Sequence, residues 1–225
     1  MDYNYDPIPL PHRAHLSPEE SQARADAYYD SIQKRHTVRQ FTDEPVERAL
    51  IERCVLAAGT APSGANHQPW HFACVSSPDI KREIREAAEA EERAFYGGKA
   101  GSEWLEDLKK MGTDASKPFL ETAPWLIAIF VKRHGIDEQG NKQKNYYTSE
   151  SVGIATGFLI NALHEAGLAT LTHTPNPMKF LSKILERPAN ERPFVLLVVG
   201  HPAADAVIPR AATVKKRIEE IASFC

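Results

Sequence analysis

Val46, Leu50, Cys54 and Ala58 recur at every fourth position, and this apolar stripe predicts a helix that starts near Pro45 and ends at Gly59. Upstream, Ser17-Pro18-Glu19-Glu20 places a capping serine, a proline at the first helical position and two acids at the positive helix end. A helix should run from there to about Lys34. The unbroken apolar run at 125 to 131 (WLIAIFV) reads as a strand covered on both faces. Phe72, Cys74 and Val75, after Trp70, read as a shorter strand. Residues 79 to 96 are rich in helix formers but carry a thin stripe at Ile80, Ile84, Ala87, Ala88 and Phe95, which predicts a peripheral, mobile helix. Residues 151 to 166 (SVGIATGFLINALHEA) form a helix closed by Gly167, and its small residues permit close approach of another helix, so it is an interface candidate. A strand at 168 to 174, a helix at 177 to 186, a buried strand at 194 to 199 and a terminal helix at 214 to 223 complete the pattern. Helices interleaved with short strands predict α+β or α/β, without internal repeats.

Composition narrows this little. The 225 residues suffice for a continuous core. A formal charge of −3 with 42% hydrophobic residues lacks the basic excess that nucleic acid or an anionic membrane would require, so neither is an expected partner. No apolar run reaches the roughly 18 residues of a membrane span, and residues 1 to 16, an N-terminal arm that is Pro-rich at 7 to 11, lack the basic-then-apolar order of a signal peptide. Cys54, Cys74 and Cys225 are odd in number and lack metal-type spacing. A cytoplasmic chain without a metal is the expectation.

The familiar single-motif signatures are absent: no G-x-G-x-x-G, no G-x-x-x-x-G-K, no G-x-S-x-G and no H-E-x-x-H. Four dispersed features remain. Arg35-His36-Thr37-Val38-Arg39 offers two guanidiniums and a hydroxyl that could converge on a phosphate, or form a solvated basic turn. Ala61-Pro62-Ser63-Gly64-Ala65-Asn66 is a turn whose amides could approach a ligand, or an ordinary helix-to-strand connection. Leu171-Thr172-His173-Thr174-Pro175 puts hydroxyls at a strand end, where open sheets bind ligands, although threonine is common in strands anyway. Glu92 and Tyr96 share one helical face, with Lys117 further on; alone, these are equally solvated surface groups.

In this order the segments resemble the nitroreductase superfamily over about residues 17 to 209, and within it the iodotyrosine deiodinases. RHTVRQF at 35–41, TAPSGANHQPW at 60–70, EERAFY at 91–96, WLEDLKK at 104–110, KPFLETAP at 117–124 and THTP at 172–175 carry the resemblance. It implies a nitroreductase-like α+β (α/β/α) fold spanning 1–225 as one domain, with a mixed central sheet flanked by helices. It further implies an intertwined homodimer with FMN at the interface. Position by position, Arg35, His36, Thr37, Val38, Arg39, Ser63, Thr172, His173 and Thr174 would hold FMN, with Thr174 bonding the flavin's reactive nitrogen. Glu92 would receive the ammonium of a halotyrosine, Tyr96 and Lys117 its carboxylate, and the Ala65 amide its phenolate. Residues 91–118 would form the lid over it.

One position departs from the family. Thr213 stands where an arginine usually meets the FMN phosphate, and Lys215 or Arg210 would have to supply the cation. The resemblance implies FMN-dependent reductive dehalogenation of 3-iodo-L-tyrosine and related halotyrosines to tyrosine and halide, with NAD(P)H or a reductase or flavodoxin-type donor as the open choice of reductant. The alternatives are a generic NAD(P)H-dependent nitroreductase or quinone reductase and, from another class, a flavin- or amino-acid-binding module without turnover.

Overall fold

The computed structural model describes residues 5–11, 15–99, 101–136 and 139–225. It divides into two compact units, residues 1–34 and 35–225. The first contains helix α1 (Pro18–Ile32), started by a reciprocal capping box: the Ser17 hydroxyl accepts the Glu20 N–H at 3.1 Å and the Glu20 carboxylate accepts the Ser17 N–H at 2.8 Å. No residue of α1 is buried. Residues 1–4 and 12–14 of the N-terminal arm lie outside the described residues.

In the second unit the chain runs through α2 (Arg48–Gly59), β1 (Trp70–Val75), α3 (Pro78–Ala94), α4 (Ser102–Lys110), α5 (Phe119–Thr122) and β2 (Trp125–Lys132). A small hairpin, β3 (His134–Ile136) and β4 (Lys142–Lys144), precedes α6 (Thr148–Glu165). Strand β5 (Ala169–His173), α7 (Lys179–Ile184), β6 (Glu191–Gly200) and α8 (Ile218–Ile221) follow. The main sheet has four strands in the order β1-β2-β6-β5.

Strand β2 shows how the core is split. Its side chains alternate between faces. Trp125, Ile127, Ile129 and Val131 join Ile51, Cys54 and Ala58 of α2 and Val152, Ala155, Leu159 and Leu163 of α6. Leu126, Ala128 and Phe130 join Ile84 and Ala88 of α3, Phe119 and Leu120 of α5 and Leu181 of α7. Burial of each such Leu, Ile or Phe contributes about 1.5–3 kcal/mol. The result is a sheet between two helical layers, as expected from the unbroken apolar run.

Several expectations need correction. The named strands all pair antiparallel, so the sheet is not mixed; the parallel contact among the described residues is an isolated bridge between Thr37 and Thr170. Interleaved helices do not impose parallel strands here, because β5 returns through α7 to run antiparallel to β6. Helix α3 is not peripheral: its thin stripe is deep, with Ile84 and Ala88 fully buried. Helix α2 begins at Arg48, later than Pro45, and the Val46 carbonyl instead accepts the Trp125 indole N–H at 2.8 Å. The terminal helix shrinks to the single turn α8, after a 3-10 turn at Arg210–Thr213.

Candidate active site

Helix α3 and the turn that follows it deliver Glu92 and Tyr96 toward the edge strand β5. Beyond Ala94 the helix widens into one π turn, Phe95–Lys99, in which Gly98 takes φ +135°, a conformation that side chains rarely adopt. This turn leads into α4, and the chain then returns to Lys117 just ahead of α5. Phe95 meets Trp104 of α4 edge-to-face at 4.9 Å, so apolar rings back the polar groups. Between this arch and β5 lies a cavity of about 170 Å³, whose lining includes Arg39, Glu92, Tyr96, Lys117, Thr172 and Thr174.

The Lys117 side chain is 3% exposed and that of Glu92 13%, and their charges lie 3.5 Å apart. Lys117 Nζ also donates to Thr113 Oγ1 at 3.0 Å and to the Asp114 carbonyl, while the Tyr96 hydroxyl donates to the Thr113 carbonyl at 3.2 Å. Burial lowers the Lys117 pKa against the pull of Glu92, and burial raises the Glu92 carboxyl against the pull of Lys117. Each charge is therefore incompletely compensated by the other. A ligand carrying both an ammonium and a carboxylate offers each of them a second partner.

The opposite wall comes from β5 and the segment beside it. Thr37 bridges Thr170, and the Val38 N–H donates to the Thr170 carbonyl at 3.2 Å. This pairing lays Arg35–Arg39 along the sheet edge and brings Arg39 into the cavity wall. Thr172 and Thr174 are exposed while His173 between them is buried, as strand alternation requires. Burial, with Lys117 and Arg39 nearby, pushes the His173 imidazole down to about 3, so it is neutral, and its Nε2 is buried without a hydrogen-bond partner.

The loop at 60–70 holds three non-glycine residues at positive φ, Ala65 (50°), Asn66 (55°) and Gln68 (47°). Ser63 Oγ stabilises it by accepting the Gln68 N–H at 2.9 Å. A Cβ on Gly64 would lie 2.9 Å from the Tyr146 carbonyl oxygen, so that position requires glycine. Ser63 and Ala65 do not line the cavity, and neither do Arg35, His36, Thr37 and Val38. Lys215 does not reach it either: its Nζ folds back onto the Ala212 carbonyl at 2.9 Å. Among the described residues no group of His, Cys, Asp or Glu could hold a metal ion, and no helix is long and apolar enough to cross a membrane.

The model of the nitroreductase family matches residues 32–201. An iodotyrosine deiodinase of Haliscomenobacter hydrossis is 53% identical over 196 residues, spanning 87% of this chain and 88% of that protein. The chain belongs to the iodotyrosine deiodinases of the nitroreductase family. A Nematostella vectensis iodotyrosine deiodinase is 43% identical over 216 residues, 95% of this chain and 81% of that one. A crystal structure of oxidized iodotyrosine deiodinase bound to FMN and 3-iodo-L-tyrosine matches with a TM-score of 0.69 at 34% identity, covering 79% of this chain and 90% of that chain.

Sequence reasoning missed a support that ties α3 to the backbone at Lys117. Glu89 Oε1 accepts both the Lys117 backbone N–H at 2.7 Å and Arg85 Nε at 2.9 Å, and Arg85 reaches Glu121 at 3.1 Å. Lys81, also buried, donates to the carbonyls of Glu121 and Ala123, each at 2.8 Å. The Arg85 and Glu89 spacing was visible as an i,i+4 pair; its link to residue 117 was not.

Proposed function

We propose that this chain catalyses FMN-dependent reductive dehalogenation of 3-iodo-L-tyrosine and other halotyrosines, giving L-tyrosine and halide. The observation that carries the reading is the meeting of Glu92, Tyr96 and Lys117 with Thr172 and Thr174 around one cavity. The donor set suits FMN. Arg35, Arg39 and the Thr37 hydroxyl have no side-chain hydrogen bond or ion pair among the described residues, and half-buried Arg39, lowered in pKa by burial, lacks a carboxylate. Two such forks suit a phosphate. The orphaned Nε2 of His173 is a further group in want of a ligand atom.

Arg35, His36, Thr37, Val38, Arg39, Ser63, Thr172, His173 and Thr174 would hold FMN, with Lys215 as the replacement cation at its phosphate. FMN, when bound, supplies the two electrons that convert carbon–halogen to carbon–hydrogen, with one proton taken up and halide released. Glu92 accepts the substrate ammonium while Lys117 and Tyr96 bind its carboxylate. The Ala65 N–H binds the phenolate, and the Thr174 hydroxyl donates to the flavin ring. Residues 91–118 close as the lid of a single 1–225 domain, excluding water and strengthening these contacts. Two copies pair to complete the FMN site, which accounts for loop 60–70 lying outside this cavity.

A generic nitroreductase reads no zwitterion, and a binding module turns nothing over. To decide, FMN-loaded protein is reduced anaerobically with dithionite, mixed with 3-iodo-L-tyrosine, and followed by flavin absorbance with assay of iodide and tyrosine. Stoichiometric iodide and tyrosine are expected as the flavin reoxidises. A flavin that stays reduced beside intact iodotyrosine overturns the proposal.

A further inference from the structure

A second cleft, of about 600 Å³, opens between α7 and the start of β6. Arg133, Lys179, Lys183, Arg187 and Arg192 line it, and Glu191 is the one carboxylate in its lining. That carboxylate is committed, since its two oxygens accept Arg187 Nε at 2.7 Å and Arg187 Nη2 at 3.1 Å. Arg133, Lys179, Lys183 and Arg192 are left exposed and without a carboxylate partner among the described residues. Lys183 has a local explanation, because it sits in the last turn of α7, where the helix end favours a cation. The other three converge from separate segments, in a chain whose formal charge is −3, and have no such explanation.

The cleft adjoins the reaction cavity: Asn176 lines both. It also lies on the side of the sheet where α7 packs, opposite the layer that holds α6. Pairing of two copies through α6 would leave it open.

We infer that this cleft docks the acidic face of a small electron-carrying protein that reduces the enzyme. The inference rests on the proposed dehalogenation, which consumes two electrons and one proton for each halide released. Two one-electron carriers are oxidised, the carbon–halogen bond breaks with its pair on the halide, and the ring carbon gains the proton. An approach beside the lidded cavity lets the carrier deliver its electrons whether or not the amino acid is bound. Transient redox contacts are small and are steered by opposite charge. Exposed cations spread around an open cleft suit such a face better than a buried dinucleotide.

The test uses the full FMN-loaded chain with a reduced flavodoxin as the acidic donor, read by stopped-flow bleaching of the bound flavin and by calorimetric titration of the oxidised partners. Expected are a reduction rate that falls steeply with ionic strength, and a drop of about tenfold or more at low salt in K179E/K183E/R192E, with flavodoxin affinity weakened in parallel. The neutral set K179Q/K183Q/R192Q should fall between, which guards against misfolding of the charge-reversed protein. Dithionite-driven iodide release should be unchanged in both. Rates and affinities that ignore salt and substitution overturn the docking site while leaving the dehalogenase intact. Loss of NADPH-driven rather than flavodoxin-driven reduction in the variants also overturns it, in favour of a dinucleotide. Failure of the dithionite reaction in the unmodified protein overturns the dehalogenase reading itself.

Discussion

Glu92 and Lys117 face each other across 3.5 Å with their side chains largely buried. Removing one charge strands the other and, if the pair reads the zwitterion as proposed, withdraws a partner from the substrate. Glu92→Gln or Lys117→Met should weaken 3-iodo-L-tyrosine binding about 30-fold or more, on the order of 2 kcal/mol, as read by quenching of flavin fluorescence. A halophenol without the amino-acid moiety should bind all three proteins alike; equal losses for both ligands would refute the assignment. On the proposed reading, binding of the zwitterion needs Glu92 ionised and Lys117 protonated. Burial raises the first pKa and lowers the second, so affinity should rise with pH through the raised Glu92 value and fall through the lowered Lys117 value, a narrower bell than ordinary side chains give. His173 offers an independent check on stability. Its folded pKa, about 3, lies below the unfolded value of about 6.5, so its stabilising effect is complete above pH 6.5 and is lost as pH falls toward 3. Urea unfolding should show on the order of 1–2 kcal/mol lost through this group between pH 6.5 and 5, and His173→Asn should lack that slope. An unaltered slope in the variant would place the acid sensitivity elsewhere. Helical spacing puts Glu92 and Tyr96 on one face, but no local period links Lys117 to α3, and the roles of all three come from the resemblance.

At the scale of elements, α3 and the segment that ends at Lys117 are joined by a side chain that the proposed chemistry does not use. Glu89 lies one turn before Glu92 on α3 and accepts the backbone N–H of Lys117. Burial pushes its carboxyl pKa up, but that N–H and Arg85 outweigh burial and leave it lowered, so it is an ionised anchor at neutral pH. Glu89→Ala should leave that N–H unpaired, destabilise the fold by about 1–3 kcal/mol, and raise the KM for iodotyrosine more than it lowers kcat. Glu89→Gln retains an acceptor and should recover much of the KM. If both variants lose only thermal stability, with KM unmoved, Glu89 is structural and nothing more. This support explains why the sequence misjudged α3. A thin apolar stripe normally marks a loosely held helix, but Ile84 and Ala88 are fully buried here and Lys81 and Arg85 fasten the helix to the turn around α5. Long-range hydrogen bonds of this kind leave no periodicity to read. Strand β2 was legible because its signal is local: an unbroken apolar run whose two faces each find a helical layer. The antiparallel sheet was not, since strand direction depends on where the chain returns, and α7 brings β6 back against β5 without a parallel crossover.

For the whole molecule, the question is what covers the outer face of α6. One side of this helix is buried against α2 and the sheet, while Ile154 and Phe158, one turn apart, remain 43% and 42% exposed beside Gly153 and Gly157. No Cβ contact within 4 Å would meet a side chain added at either glycine, so the face is both apolar and open to a close neighbour. The small-residue pattern makes it an interface candidate. If two copies pair there about a two-fold axis, each substitution enters the contact twice. Ile154→Glu with Phe158→Glu would then bring four unpaired carboxylates into an apolar surface, a cost of several kcal/mol to association. Sedimentation velocity should show a dimer for the unmodified protein and a monomer for the double variant, with far-UV dichroism unchanged because both positions are exposed within one chain. The monomer should also retain little flavin, since the loop carrying Ser63 and Ala65 would no longer meet the cavity bounded by Arg39 and Thr174. A variant that stays dimeric with a full complement of FMN would show that α6 is not the seam; a monomer that keeps its flavin would show that one chain builds the FMN site unaided.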